Sequence, residues 1–116
     1  MILILDDDAS IRDTISDLLD ELDIEALQSN NPKGALKIIA AYDVKWVFTD
    51  ICMPGINGIE LIREIKKIKP HVKFFCISGV SDILEEDIKD LDIVITLQKP
   101  FSPKIFKEKV KKAMLG

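Results

Sequence analysis

The chain has 116 residues, of which 47% are hydrophobic and 31% charged, with a formal net charge of -4. That balance suits one folded domain of ordinary size and excludes disorder, and two cysteines are too few for a disulfide scaffold. A mildly acidic chain is no nucleic-acid binder by bulk electrostatics. No apolar run approaches the roughly 20 residues of a membrane span, and Asp6, Asp7 and Asp8 interrupt the only N-terminal apolar stretch, so a cytoplasmic chain without a signal peptide is expected.

Ile2 to Leu5 is a short continuous apolar run, the mark of a strand covered on both faces. Ile11, Ile15, Leu18, Leu19 and Leu22 recur at helical spacing and make one stripe. Ile24 to Leu27 reads as a second strand. Asn31 caps a helix whose first position is Pro32, where a missing N–H costs nothing, and Leu36, Ile39 and Ala40 give its inner face. Trp46 to Thr49 is a third strand that stops at Asp50, and Met53-Pro54-Gly55 and Asn57-Gly58 carry turn signals. Ile59, Ile62, Ile65 and Ile68 make a third helix that ends before Pro70. Lys73 to Ile77 is a fourth strand. A fourth helix follows, capped at Ser81 or Asp82 with Glu85 placed as in a capping box, and lined by Ile83, Leu84, Ile88 and Leu91. Ile93 to Leu97 is the fifth strand, and Ser102-Pro103 opens a last helix with Ile105, Phe106, Val110, Ala113 and Met114 inward.

Strict strand–helix alternation predicts an α/β fold, a doubly wound parallel sheet of five strands with five helices on its faces, in a single domain over residues 1–116. Chemistry in such a sheet belongs at the carboxyl ends of the strands. Asp6-Asp7-Asp8, Asp50, Ser78-Gly79 and Lys99-Pro100 stand at four of those ends. Clustered carboxylates resist full ionisation unless a cation joins them, and an oxygen-only set favours a hard one, with Mg2+ the natural choice beside phosphate. An aspartate there can attack a phosphoryl group to form an acyl phosphate. Lys99 and the metal would neutralise charge on the phosphoryl oxygens, Ser78 would donate a hydrogen bond to one of them, and Gly79 leaves room for the group.

Each residue also has a plainer reading. The acidic triplet suits a helix N-terminus, and Asp8 is the one of the three expected to act only as a cap. Cys76 reads as core, His71 as a solvated loop residue and Trp46 as packing at a strand start. The two cysteines lack a CxxC pattern and are expected as free thiols. The lysines of the last helix read first as a solvated face and second as a docking face for an acidic partner.

ILILDDDASIR, VFTDICMPGINGIEL, FFCISG and LQKPF, in that order and at suitable separations, together resemble the receiver domain of two-component response regulators, of the chemotaxis-regulator kind. The resemblance covers essentially the whole chain, and its TD-x-x-MPG-x-x-G run is individually specific. It implies a flavodoxin-like sheet of order 2-1-3-4-5. It also implies that Asp50 is the phosphoacceptor, Asp7 a direct Mg2+ ligand, and Asp6 a ligand mainly through metal-bound water. The main-chain carbonyl of Cys52 would complete the protein's ligands, Ser78 would be the switch hydroxyl, and Lys99 the phosphate-binding lysine before a cis bond to Pro100. The implied partners are a sensor histidine kinase or phosphotransfer protein as donor and an effector protein that reads the fourth helix, fifth strand and fifth helix, with homodimerisation left open. On this reading the domain is no enzyme for other substrates; it catalyses only its own phosphorylation and dephosphorylation.

The sequence departs from the family in three places. Thr96 stands where an aromatic is usual, three residues before the lysine. Leu91-Asp92-Ile93 stands where Gly-Ala often precedes strand five. Cys52 and Val80 occupy the positions that govern the hydrolytic water, and neither side chain positions water well, so slow self-dephosphorylation is expected. The competing reading is a pseudo-receiver, a protein-interaction module that works without phosphorylation. A P-loop and a GxGxxG turn are both absent from the sequence, and an aspartyl-phosphate phosphatase fits the KPF context less well.

Overall fold

The apolar runs become the strands of one parallel sheet. A computed structural model describes residues 1–50, 57–78, 93–98 and 101–115. Strands β1 (Ile2–Leu5), β2 (Ala26–Ser29), β3 (Trp46–Asp50), β4 (Lys73–Ser78) and β5 (Ile93–Gln98) pair in parallel in the order β2-β1-β3-β4-β5. Helices α1 (Ala9–Asp20), α2 (Pro32–Ala41) and α3 (Gly58–Ile68) and the C-terminal helix (Pro103–Leu115) accompany it. This is the expected flavodoxin-like order. The fourth helix expected between strands four and five lies outside the described residues.

Because side chains alternate across a strand, each strand feeds two cores. Leu3, Leu5, Val47, Phe74 and Cys76 point to one face and pack with Ala35 and Ile39 of α2 and Leu61, Ile62 and Ile65 of α3. Ile2, Ile4, Phe48, Phe75 and Ile77 point to the other and pack with Ile15, Leu18 and Leu19 of α1 and Phe106 and Val110 of the C-terminal helix. Phe106 is fully buried against Phe48 and Phe75, with ring centroids 6.0 and 5.6 Å away, and so ties the C-terminal helix to the middle of the sheet. Trp46 is half-buried at the start of β3 beneath the Lys73 ammonium, 5.9 Å from its ring centroid, which fits the packing role expected of it.

The caps follow the sequence closely. The Asn31 side chain accepts from Gly34 N at 2.7 Å, with Pro32 opening α2. Asn57 accepts from Ile59 N and Glu60 N at the start of α3. Ser102 Oγ accepts from Ile105 N at 3.1 Å at the start of the C-terminal helix.

Several expected boundaries and faces are corrected. β2 spans Ala26–Ser29 rather than 24–27, because Ile24 still belongs to the end of α1: its N–H donates to the Leu19 carbonyl at 2.9 Å. Ala40 and Ile105 are exposed. At about 100° per residue, each lies roughly 120° from the centre of its helix's buried stripe, which is Ala35–Ile39 in α2 and Phe106–Val110 in the C-terminal helix. Ile68, the last residue of α3, is 45% exposed and belongs to neither core cluster, whereas Leu61 is buried there instead.

Candidate functional site

The sheet order places the site. β1 has β2 on one side and β3 on the other, so the chain reverses its direction of winding between β1 and β3. That reversal opens a crevice at the carboxyl ends of those two strands. Leu5 pairs with Thr49, so Asp6 and Asp50, the next residues along, lie side by side at the ends of β1 and β3. Asp6 is 1% and Asp50 7% exposed, while Asp7 is open to solvent. One carboxylate oxygen from each of Asp6, Asp7 and Asp50 lies within 4.8 Å of the other two. Three sequence-predicted acids are therefore gathered in one place.

A hydrogen-bonded loop holds the acidic pair. The Asp6 N–H donates to the Ser29 carbonyl at 3.3 Å, extending the β1–β2 ladder past its last strand residue. Asp6 Oδ1 accepts from the Asp8 N–H at 2.9 Å, which turns the chain and leaves Asp7 at the apex. Asp8 then caps α1, its Oδ1 accepting from Ser10 N at 2.9 Å and from Ser10 Oγ at 2.7 Å. The expectation that Asp8 serves as a cap holds.

Arg12 is the residue that sequence reasoning missed. Its Nη1 donates to the main-chain carbonyl of Asp6 at 2.7 Å, and its Nε donates to Gln28 Oε1 at 3.3 Å. The guanidinium thus bridges the end of β2 to the acidic loop. Helical side chains lean toward the helix N-terminus, and Arg12 sits one turn into α1, so taking Asp8 as the cap gives the side chain's general direction but not its two acceptors.

The donor set determines what the site can hold. Three carboxylates within 4.8 Å repel one another, two of them are buried, and no nitrogen or sulfur ligand joins them among the described residues. Hard, oxygen-seeking cations suit such a set. Opposite corners of a Mg2+ octahedron lie about 4.2 Å apart, so the observed spread closes onto that ion with small side-chain movements or a bridging water. These residues therefore fit Mg2+.

The remaining expected site residues divide into two groups. Ser78 ends β4, two strands from β1 on the same rim, but its side chain lies outside the described residues. Cys52, Gly79, Val80, Lys99 and Pro100 also lie outside them. Thr96 is exposed on β5, and its carbonyl accepts from Lys109 Nζ of the C-terminal helix at 3.2 Å. Cys76 is a free thiol and 1% exposed, and burial pushes its pKa up to about 12. His71 is exposed between α3 and β4.

Comparison with known proteins agrees with this arrangement. The family model of the response regulator receiver domain matches residues 2–111. The autoinducer 1 sensor kinase/phosphatase LuxN of Vibrio campbellii is 30% identical over 99 residues, which are 85% of this chain and 12% of that protein. Sporulation initiation phosphotransferase F of Bacillus subtilis is 28% identical over 113 residues, 96% of this chain and 90% of that protein. The response regulator protein TrrA of Thermotoga maritima, solved in complex with Mg2+ and BeF, is 33% identical, with a TM-score of 0.83 and 97% of each chain covered. The chain spans 12% to 49% of the length of several other curated relatives that it matches, so the activity of those whole proteins does not transfer with the match. Among the described residues no helix is long and apolar enough to cross a membrane. A doubly wound sheet with an acidic crevice where its winding reverses, matched along nearly its whole length by one family model, makes this chain a member of the response regulator receiver domain family of two-component systems.

Proposed function

We propose that the domain accepts a phosphoryl group on Asp50 from the phosphohistidine of a sensor histidine kinase or phosphotransfer protein, and that this switches a protein-interaction surface. The observation that carries the reading is the buried Asp50 carboxylate within 4.8 Å of Asp6 and Asp7 at the end of β3. An Asp50 oxygen attacks phosphorus, the N–P bond breaks, and the imidazole leaves with the electron pair. Mg2+ bound by Asp6, Asp7, Asp50 and the Cys52 carbonyl would supply charge neutralisation for the phosphoryl oxygens. The chain's own part is to hold the nucleophile still. Asp50 is the last residue of a central strand, and Arg12 and Asp8 fix the loop that carries Asp6 and Asp7. Lys99 and Ser78 are assigned the phosphoryl oxygens, and their shift toward the new charge moves the surface of the fourth helix, fifth strand and fifth helix. The Mg2+ and BeF complex of the 33% identical Thermotoga protein supports the same ligand chemistry here.

Titration with beryllofluoride tests this reading. The expected result is saturable binding that requires Mg2+ and disappears in Asp50→Ala. Absence of Mg2+-dependent binding in the wild type would leave the phosphorylation-independent interaction module as the function. The residues Cys52 and Val80 further predict an acyl phosphate that persists for minutes or longer in Mg2+ buffer, and decay within seconds would contradict that role for them.

A further inference from the structure

The end of the sheet opposite the acidic crevice carries two clefts of opposite charge. One, of about 550 Å³, forms where the chain enters β3 and β4, and carries Lys45, Lys69, His71 and Lys73 around Trp46, with Asp43 the acid among its described lining residues. The other, of about 460 Å³, forms where the chain enters β1 and β2 beside the last turns of α1, and carries Asp17, Asp20 and Glu25, with the Met1 ammonium the one cation among its described lining residues. Lys45, His71, Lys73, Asp17, Asp20 and Glu25 are all exposed. The clefts meet at one contact, where the Lys45 N–H donates to the Met1 carbonyl at 3.0 Å. Met1 lines the acidic cleft, Lys45 lines the basic one, and Met1 leaves 47% of its surface exposed at the junction. Neighbouring strands lie about 4.8 Å apart and β1 stands between β2 and β3, so the charge changes sign across about two strand spacings.

That pattern is self-complementary. An isologous interface requires one patch that matches itself after a rotation of 180°. A two-fold axis through the Met1–Lys45 junction sets the acidic cleft of one protomer against the basic cleft of its partner, and the reverse, with the exposed Met1 side chains at the centre. We propose that this end of the sheet is a salt-sensitive self-association surface whose occupant is a second copy of this chain. An acidic partner protein would use only the basic cleft and would meet Asp17, Asp20 and Glu25 as repulsion beside it. A second copy uses both signs. The arrangement leaves the acidic crevice free, because β3 runs from Trp46 at this end to Asp50 at the other, about 13 Å away. In such a dimer the two crevices face outward from opposite ends.

Sedimentation equilibrium tests the proposal. At about 0.01 M ionic strength, where the Debye length is about 30 Å, the weight-average mass of the wild type should climb from 13.1 kDa toward twice that value as concentration rises. At about 1 M, where the Debye length is about 3 Å, it should fall back toward the monomer. The double variants Lys45→Glu with Lys69→Glu, and Asp17→Lys with Asp20→Lys, alter surface side chains and should each stay monomeric alone at low salt. Mixed in equal amounts, they should form a heterodimer, because one then presents acids in both clefts and the other lysines in both. Addition of Mg2+ and beryllofluoride should leave the dimer unchanged, so a failed phosphoacceptor reading and a failed dimer give different results. A wild type that is monomeric at low salt up to millimolar concentration would overturn the proposal. So would charge-reversed variants that still dimerise alone, a mixture that stays monomeric, or a monomeric wild type that binds polyglutamate through Lys45 and Lys69.

Discussion

A single guanidinium links the second strand to the acidic loop of this domain. Arg12 donates to the Asp6 carbonyl and to Gln28 Oε1, and the Asp8 N–H holds Asp6 Oδ1, so the two loop acids are set from both sides before any metal arrives. Lysine in its place keeps the charge but cannot reach both acceptors with one planar group. We therefore expect Arg12→Lys to weaken Mg2+ binding about tenfold, since a hydrogen bond to a charged donor contributes about 1.5 kcal/mol at its lower end, and about 1.4 kcal/mol is a factor of ten. Calorimetric titration with Mg2+ measures this, and an unchanged affinity would make Arg12 a bystander. Cys76 makes a second prediction at this scale. With its pKa pushed up to about 12 by burial, only about one thiol in ten thousand is ionised at a pH of about 8. A thiol reagent at that pH should label Cys76 only after denaturant is added, as peptide mapping would show. Rapid labelling of Cys76 in the native state would mean that the β4 core opens readily. The acids of the site were legible in the sequence because each stands at a strand end, and parallel pairing brings strand ends together. Arg12 was not, because its role depends on two distances that spacing alone does not give.

Among the elements, the strands were the most legible. Ile2–Leu5, Trp46 to Phe48 and Phe74 to Ile77 are continuous apolar runs, as strands covered on both faces require. The start of β2 was misplaced for a local reason. The Asp23 N–H donates to the Asp20 carbonyl and the Ile24 N–H to the Leu19 carbonyl, both at 2.9 Å, which is the paired closure of a Schellman motif. Asp23 sits in its left-handed position with φ 60°, where glycine is usual, so the sequence carried no stop signal and Ile24 resembled a strand start. The inner faces of the helices were legible at their middles and not at their flanks, since Ala40, Ile68 and Ile105 are apolar yet exposed. The same motif gives a stability prediction. Asp23→Gly removes a left-handed side chain and an acid from a helix C-terminus, at the cost of a more flexible unfolded chain, for a net gain of about 0.5 kcal/mol. A rise in the urea midpoint at unchanged slope would report it, and a fall would mean that Asp23 has a favourable partner worth more than its backbone strain.

The whole molecule has two chemically different ends. Acids converge at the carboxyl ends of β1 and β3, and paired clefts of opposite charge lie where the strands begin. The net charge of -4 is thus unevenly distributed, and three of its acids gather in one set that fits a hard cation. Between the ends, the two cores hold the sheet and its helices as one body, with Phe106 joining the C-terminal helix to Phe48 and Phe75. Phosphoryl acceptance is proposed at the acidic crevice, and self-association at the paired clefts of the other end. A phosphoryl group carried on Asp50 in a Mg2+-dependent reaction is tested most directly by intact-mass spectrometry after incubation with acetyl phosphate. The expected result is one phosphoryl adduct that requires Mg2+, maps to Asp50 and is lost in Asp50→Ala. An adduct that forms equally without Mg2+, or one retained in Asp50→Ala, would contradict it.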